Sequence, residues 1–156
     1  SLVKNQKIHS IFEFGIDQGR IGYLLNDIKS KDESFDFKYT GVENNPRKGI
    51  LLKDSKFKNI EVVFRNLEEY LLEIPGDILK DSLIISSTHE INSEKFLFDY
   101  LNSNKIFPKY LVSDECSKDS EYTKFVENHN YTSAVIPFED PNKFLDTIYL
   151  GISKLN

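Results

Sequence analysis

A glycine-rich turn organises this chain: Ile11-Phe-Glu-Phe-Gly-Ile-Asp-Gln-Gly-Arg-Ile-Gly22. The apolar residues at its start predict a short β-strand, and apolar residues at helical spacing begin at its end. Glycine permits positive φ and close approach of a ligand to the backbone, and a helix N-terminus presents free N–H groups. The stretch therefore predicts a strand, a glycine turn and a helix start that together form a cofactor site.

Two common nucleotide motifs do not match the spacing of these glycines. The dinucleotide fingerprint has glycines at its first, third and sixth positions, but the third and sixth positions counted from Gly15 are Asp17 and Arg20. The triphosphate loop needs a Gly-Lys-Ser/Thr sequence, which does not follow. The turn is instead acidic, with Glu13 at the strand end and Asp17 inside the turn. Such a turn suits S-adenosylmethionine, which has an ammonium, a sulfonium and a ribose diol.

The segment Glu13-Phe-Gly-Ile-Asp-Gln-Gly-Arg20 resembles motif I of the class I S-adenosylmethionine-dependent methyltransferases. It is most similar to the Asp-x-Gly-Ala-Asn-x-Gly form of FkbM-type enzymes. The resemblance implies that S-adenosylmethionine is the cofactor and that Glu13, Gly15, Asp17 and Gly19 help to bind it. An alternative role for Asp17 is to cap the helix that follows.

The second predicted strand, residues 35–42, ends in Glu43-Asn44-Asn45-Pro46. Open parallel sheets bind ligands at the carboxyl ends of their strands, so we expect Glu43 at a ligand site. Its carboxylate can accept hydrogen bonds from both ribose hydroxyls, each worth about 1.5–3 kcal/mol. The resemblance implies this role for Glu43 and places Asn44 beside it in the cofactor site. The alternative is that Glu43 is a solvated loop residue.

Residues 60–65 predict a third strand, which ends at Asn66-Leu67. The resemblance implies that both residues contact the adenine of the cofactor, Asn66 through a hydrogen bond and Leu67 through packing. The alternative for Asn66 is that it caps the next helix.

The fourth predicted strand, residues 82–86, has an apolar centre that is typical of a strand buried on both faces of a parallel sheet. It leads into Ser86-Ser-Thr-His-Glu90, where FkbM-type sequences have Asp-x-Glu-Gly. We place Ser86 in the cofactor site and expect the stretch to face the methyl acceptor. We interpret His89 as the group that takes a proton from the acceptor, with Glu90 orienting it. The alternative is that His89 is an ordinary loop residue.

The remaining chain continues the alternation of strands and helices. A helix is expected over residues 93–101 with Ser93 as its cap, then a strand at 107–113, a helix at 121–128, and strand-like runs at 131–136 and 146–151. The expected fold is α/β: a Rossmann-like doubly wound sheet, mostly parallel, with an antiparallel C-terminal hairpin. This is the order of a class I methyltransferase sheet, and we expect residues 1–156 to form one S-adenosylmethionine-binding domain.

Composition excludes several classes of function. The 156 residues have a net charge of −5, which argues against a broad phosphate-binding surface, so nucleic acid is not the favoured partner. Cys116 is the one cysteine, so an intrachain disulfide and a Cys-rich metal site are excluded. Asp114-Glu115 has no evident third ligand, and no metal is expected. No apolar run could cross a bilayer. We therefore expect no membrane association and a soluble protein in the reducing cytoplasm.

These features predict transfer of a methyl group from S-adenosylmethionine to a small-molecule or glycan acceptor, by O- or N-methylation. Little chain precedes the glycine turn, so acceptor recognition is expected to need a homodimer mate, a partner or a missing domain of a longer chain. Two alternatives remain open. One is a non-catalytic interaction module with a methyltransferase fold, and the other is a nucleotide-dependent oxidoreductase, which the glycine spacing disfavours.

Overall fold

The computed structural model describes residues 8–52, 57–114, 116–138 and 148–156. Its strands are β1 (Ser10–Phe14), β2 (Lys38–Glu43), β3 (Ile60–Phe64), β4 (Leu83–Ser86), β5 (Tyr110–Ser113), β6 (Tyr131–Phe138) and β7 (Ile148–Leu155). Its α-helices are α1 (Arg20–Lys31), α2 (Leu67–Glu73), α3 (Ile91–Ser103) and α4 (Glu121–Asn128). Short 3₁₀ helices occur at Ile50–Leu52 and Gly76–Leu79.

All of these strands belong to one sheet, with the order β3-β2-β1-β4-β5-β7-β6. Strands β1 to β5 pair in parallel, whereas β7 is antiparallel to both β5 and β6. The predicted doubly wound sheet with an antiparallel C-terminal hairpin is therefore confirmed. The chain builds outward from β1 through β2 and β3 and then crosses to β4. The switch point between β1 and β4 is where open sheets of this kind bind ligands.

Strand β1 is buried on both faces of the sheet. Ile11 belongs to the core that α1 covers, together with Leu25 of that helix. Phe12 belongs to the opposite core, together with Leu71 of α2 and Leu97 of α3. A parallel sheet that is apolar on both faces needs helices on both faces, and this arrangement provides them.

Several predicted boundaries differ from the structure: the strands predicted at 35–42 and 107–113 begin at Lys38 and Tyr110. Helix α3 begins at Ile91 with Glu90 as its N-cap, so the prediction of Ser93 as the cap is wrong. The reason is that the Glu94 N–H already bonds to the Glu90 carbonyl (3.0 Å). The last strand extends to Leu155, because pairing with β6 continues as far as Tyr131. Its predicted first residues, 146 and 147, lie outside the described residues.

Candidate functional site

The glycine turn between β1 and α1 lies against the residues that end β2 and follow β4. The Gly15 N–H donates to the Val42 carbonyl (2.9 Å), and the Ser87 N–H donates to the Phe14 carbonyl (2.9 Å). Gly15 has a φ of 85°, and a Cβ atom there would lie 2.4 Å from the Ser87 carbonyl oxygen. Glycine is required at this position, because a side chain would force the turn away from the loop after β4.

A second glycine sets the start of α1. Gly19 is the N-cap residue with a φ of 84°, and a Cβ atom there would lie 2.6 Å from Cγ of Leu52. The N-cap position is thus occupied by Gly19 rather than by Asp17. The Asp17 backbone has a φ of 47°, and its carbonyl accepts the Gly49 N–H (2.5 Å). This bond joins the glycine turn to the loop after β2.

Glu43, at the end of β2, holds the same two loops together through its side chain. Its carboxylate is buried; Oε2 accepts the Asp17 N–H (3.3 Å), and Oε1 accepts the Asn45 N–H (3.0 Å). Two backbone donors therefore fix the orientation of this carboxylate. Each carboxylate oxygen can accept more than one hydrogen bond, so Glu43 keeps acceptor capacity for a ligand.

A cleft of about 570 Å³ opens at the carboxyl ends of the strands. Its volume lies within the range of roughly 300–1,000 Å³ that is typical of small-molecule and cofactor sites. Most of the predicted site residues line it: Gly15, Asp17, Glu43, Asn44, Asn66, Leu67, His89 and Glu90. The predicted residues Glu13, Gly19 and Ser86 do not belong to its lining.

The cleft also has lining residues that the sequence did not indicate, among them Lys48 and Arg65. Ser87 and Thr88, which follow Ser86 in the stretch expected to face the methyl acceptor, also line the cleft. Lys48 Nζ lies 3.9 Å from Asp17 Oδ1. This contact has no signal in the local sequence, because it depends on the pairing of two separate loops.

Glu13 is buried beneath the turn at 3% exposure. The Tyr39 hydroxyl, from the neighbouring strand β2, donates a hydrogen bond to Glu13 Oε2. Burial raises the pKa of Glu13 to about 8; the Tyr39 hydrogen bond opposes this rise, and the nearby carboxylates of Asp114, Asp17 and Glu43 add to it. Burial also raises the pKa of Tyr39. Glu13 is therefore mostly protonated at neutral pH and presents little charge to the cleft.

His89 lies on the loop between β4 and α3, with a φ of 51°. Its Nε2 is 3.3 Å from Asp114 Oδ2, just beyond β5, and the two side chains are 64% and 25% exposed. Glu90, the residue expected to orient His89, accepts a hydrogen bond from the Ser93 hydroxyl instead (3.3 Å). The carboxylate that the structure places beside His89 is thus Asp114, which the sequence did not indicate as part of the site.

Within the described ranges, no group of three or more His, Cys, Asp and Glu side chains is placed to hold a metal ion. No helix in the same part of the chain has the length and apolar character needed to cross a membrane.

No known family profile and no curated protein matches the sequence, but solved structures match the fold. A protein from Streptococcus pneumoniae assigned as a tRNA methyltransferase, in complex with S-adenosyl-L-methionine, has a TM-score of 0.65 and 12% identity, covering 99% of this chain and 71% of that one. An rRNA methylase from Streptococcus thermophilus has a TM-score of 0.60 and 12% identity, covering 96% and 88%. The plantazolicin methyltransferase, in complex with S-adenosylhomocysteine, has a TM-score of 0.55 and 11% identity, covering 95% and 77%.

These neighbours act on different acceptors. Two of the three are named for RNA substrates, so the comparisons do not support the expectation that nucleic acid is disfavoured. What they share with this chain is the architecture: the mostly parallel sheet with its antiparallel C-terminal strands. The chain therefore has the fold of the class I S-adenosylmethionine-dependent methyltransferases.

Proposed function

We propose that this chain binds S-adenosylmethionine in the cleft and transfers its methyl group to the oxygen or nitrogen of a small-molecule or glycan acceptor. The observation that carries the proposal is the placement of Glu43. Its carboxylate ends β2, lines the cleft, and is oriented by the N–H groups of Asp17 and Asn45. The neighbours with bound S-adenosylmethionine or S-adenosylhomocysteine support the choice of cofactor.

The chemistry of the lining fits this cofactor. Glu43 would accept the ribose hydroxyls, while Asn66 and Leu67, which line the cleft after β3, would contact the adenine. Gly15 lets the backbone of the turn come close to the ligand, because no side chain intervenes. When bound, the cofactor supplies a methyl group activated by a sulfonium. The residues of the chain then have to orient the acceptor and exclude water.

The chemical class of the methyl acceptor is the most specific part of the proposal. The overall acidic charge favours a small molecule or a glycan over RNA, whereas the neighbours named for rRNA and tRNA make RNA the competing class. Several further expectations also remain predictions. They are the similarity to FkbM-type motifs, the single domain over residues 1–156, the cytoplasmic location, and a dimer mate or missing domain that contributes to acceptor recognition.

Isothermal titration calorimetry tests the cofactor directly. S-adenosylmethionine, S-adenosylhomocysteine and NAD are each titrated into the wild type, Glu43→Ala and Glu61→Ala. Glu61 is an exposed carboxylate on β3 that does not line the cleft, so it is the matched control. We expect micromolar binding of the two sulfur compounds, and a loss of about 2–4 kcal/mol, or roughly 30- to 1000-fold in Kd, for Glu43→Ala alone.

The outcomes separate the alternatives. Binding of NAD without the sulfur compounds would favour the nucleotide-dependent oxidoreductase. Failure of all three ligands to bind would contradict the cofactor site and leave the interaction module. Equal losses for Glu43→Ala and Glu61→Ala would contradict the role given to Glu43. Denaturant unfolding of each variant separates lost binding from a loosened turn, because Glu43 also bonds to the backbone of two loops.

A further inference from the structure

A second cavity, of about 410 Å³, lies beside the cofactor cleft. The two share one wall, formed by the consecutive residues Thr88, His89 and Glu90. Beyond this wall the second cavity is lined by the start of α3, by the loop that leads into α4 and by the first residue of α4. A ligand in the cleft and a ligand in the second cavity would therefore both lie against the loop that contains His89.

The ionisable residues that line the second cavity, within the described part of the chain, are His89, Glu90, Glu94, Asp119 and Glu121. Glu94 is buried, whereas Glu90 and Asp119 are exposed. Lys124 pairs with Glu121 (2.8 Å) on one side. Such a lining opposes an anionic ligand and suits one that is neutral or cationic.

His89 at the shared wall is held by a third element. Its Nε2 lies 3.3 Å from Asp114 Oδ2, and Asp114 directly follows β5, the strand next to β4. When Nε2–H donates to this carboxylate, the lone pair of the neutral imidazole is on Nδ1. The pair thus has the arrangement of a general base with an orienting carboxylate.

Resting on the proposed function, we propose that the second cavity is the acceptor site, that it takes a non-anionic acceptor with a hydroxyl or amine, and that His89, positioned by Asp114, is its general base. The acceptor nucleophile forms a bond to the methyl carbon with its lone pair. The carbon–sulfur bond breaks with its electron pair left on sulfur, which yields S-adenosylhomocysteine. The proton of the nucleophile passes to Nδ1 of His89 and then to solvent. His89 is the catalytic residue in this scheme, and Asp114 is a positioning residue.

Two analogues of S-adenosylmethionine test the position and charge of the acceptor site without a known acceptor. In both, nitrogen replaces the sulfur; one has an aminopropyl chain in place of the methyl group and the other a carboxyethyl chain. By calorimetry we expect the aminopropyl analogue to bind at least about tenfold more tightly than the carboxyethyl analogue. The reason is that the carboxylates of the second cavity attract the ammonium of the aminopropyl chain and repel the carboxylate of the carboxyethyl chain. Equal affinities would overturn the assignment, and tighter binding of the carboxyethyl analogue would in addition favour an anionic acceptor such as RNA.

Substitutions at exposed residues that line the second cavity show whether the aminopropyl chain of the analogue enters it. Ser117→Trp fills the cavity from an exposed lining position; it should weaken the aminopropyl analogue by roughly tenfold or more and leave S-adenosylhomocysteine unaffected. Asp119→Asn should weaken the aminopropyl analogue several-fold, whereas Asp99→Asn should not, because Asp99 pairs with Lys95 outside both cavities. If S-adenosylhomocysteine itself does not bind, the proposed function fails. If it binds and Ser117→Trp does not change binding of the aminopropyl analogue, the acceptor site fails while the function stands.

Nitrogen chemical shifts of the imidazole test the role of Asp114 independently of any acceptor. With S-adenosylhomocysteine bound, neutral His89 should be protonated on Nε2 in the wild type and in Glu90→Gln. In Asp114→Ala the population should shift toward the tautomer ratio of an imidazole in water, and in Asp114→Glu it should return toward Nε2–H. A wild-type proton on Nδ1, or a tautomer that responds to Glu90→Gln and not to Asp114→Ala, would overturn the role given to the pair.

Discussion

The role of a single carboxyl group depends on what the next strand places against it. Glu13 lies opposite Gly41 in the parallel pairing of β1 with β2. Because Gly41 has no side chain, the Tyr39 ring lies over it, with Cε1 and the hydroxyl oxygen each 3.0 Å from where a Cβ would be. The Tyr39 hydroxyl reaches Glu13 from there. Glu13 therefore stabilises the base of the turn as a buried acid, although its position at the strand end indicates a ligand contact.

This burial predicts a pH dependence of stability. The pKa of Glu13 is raised by burial to about 8 in the folded state, from an ordinary value of 4.5. Its contribution to stability is then fully present below pH 4.5 and is lost as the pH rises through 8. We expect the free energy of unfolding to fall across this window, with a limiting slope of about 1.4 kcal/mol per pH unit.

Urea unfolding between pH 5 and pH 9 measures this pH-dependent contribution of Glu13 to the free energy of unfolding. Glu13→Gln cannot ionise and resembles the protonated acid, so the free energy of unfolding of the wild type minus that of Glu13→Gln should decrease as the pH rises. Glu61→Gln removes an exposed carboxyl group on β3 and should keep the wild-type profile. A difference between wild type and Glu13→Gln that is constant with pH would contradict the raised pKa.

At the level of the element, helix starts show that residues at the same N-cap position can have different roles. Ser120 is the N-cap of α4, and its Oγ accepts the Thr123 N–H (3.2 Å). Asn66 is the N-cap of α2, but its side chain makes no capping hydrogen bond. The sequence allowed Asn66 to be either a cap or an adenine contact. Its side chain lines the cleft, which favours the second role.

The two caps give a paired prediction. Ser120→Ala should lower the free energy of unfolding by about 1 kcal/mol, because a backbone donor loses its partner. Asn66→Ala should change stability by less than about 0.5 kcal/mol and weaken the binding of S-adenosylmethionine. Denaturant unfolding and calorimetry on both variants provide the measurement. A loss of stability for Asn66→Ala as large as that for Ser120→Ala, with unchanged binding, would restore the capping interpretation.

At the scale of the whole molecule, stability is concentrated at the centre of the sheet. Ile84 of β4 is 0% exposed and pairs with Phe12 of β1 and Leu111 of β5. Val135 lies on the edge strand β6 and is 54% exposed. The order of the strands, rather than the residue type, makes these two β-branched residues energetically different.

Matched truncations test this distribution. Ile84→Ala should cost about 2–5 kcal/mol of unfolding free energy, because the close-packed centre cannot collapse around the cavity. Val135→Ala should cost less than about 0.5 kcal/mol, since its side chain is mostly in water. Both values come from urea unfolding at one pH. Similar losses for the two variants would contradict the description of β6 as an exposed edge.

The sequence by itself determined the α/β fold class, the glycine turn, the strand ends at Glu43 and Asn66, and the loop with His89. These signals are local: hydrophobic period, glycine and strand-ending polar residues are all read within a few neighbours. Only the tertiary structure decided that Tyr39 covers Glu13, that Lys48 reaches Asp17, and that Asp114 rather than Glu90 lies beside His89. Those contacts depend on which strands become neighbours and in what register, and parallel strands are joined through connections that separate their residues widely in sequence.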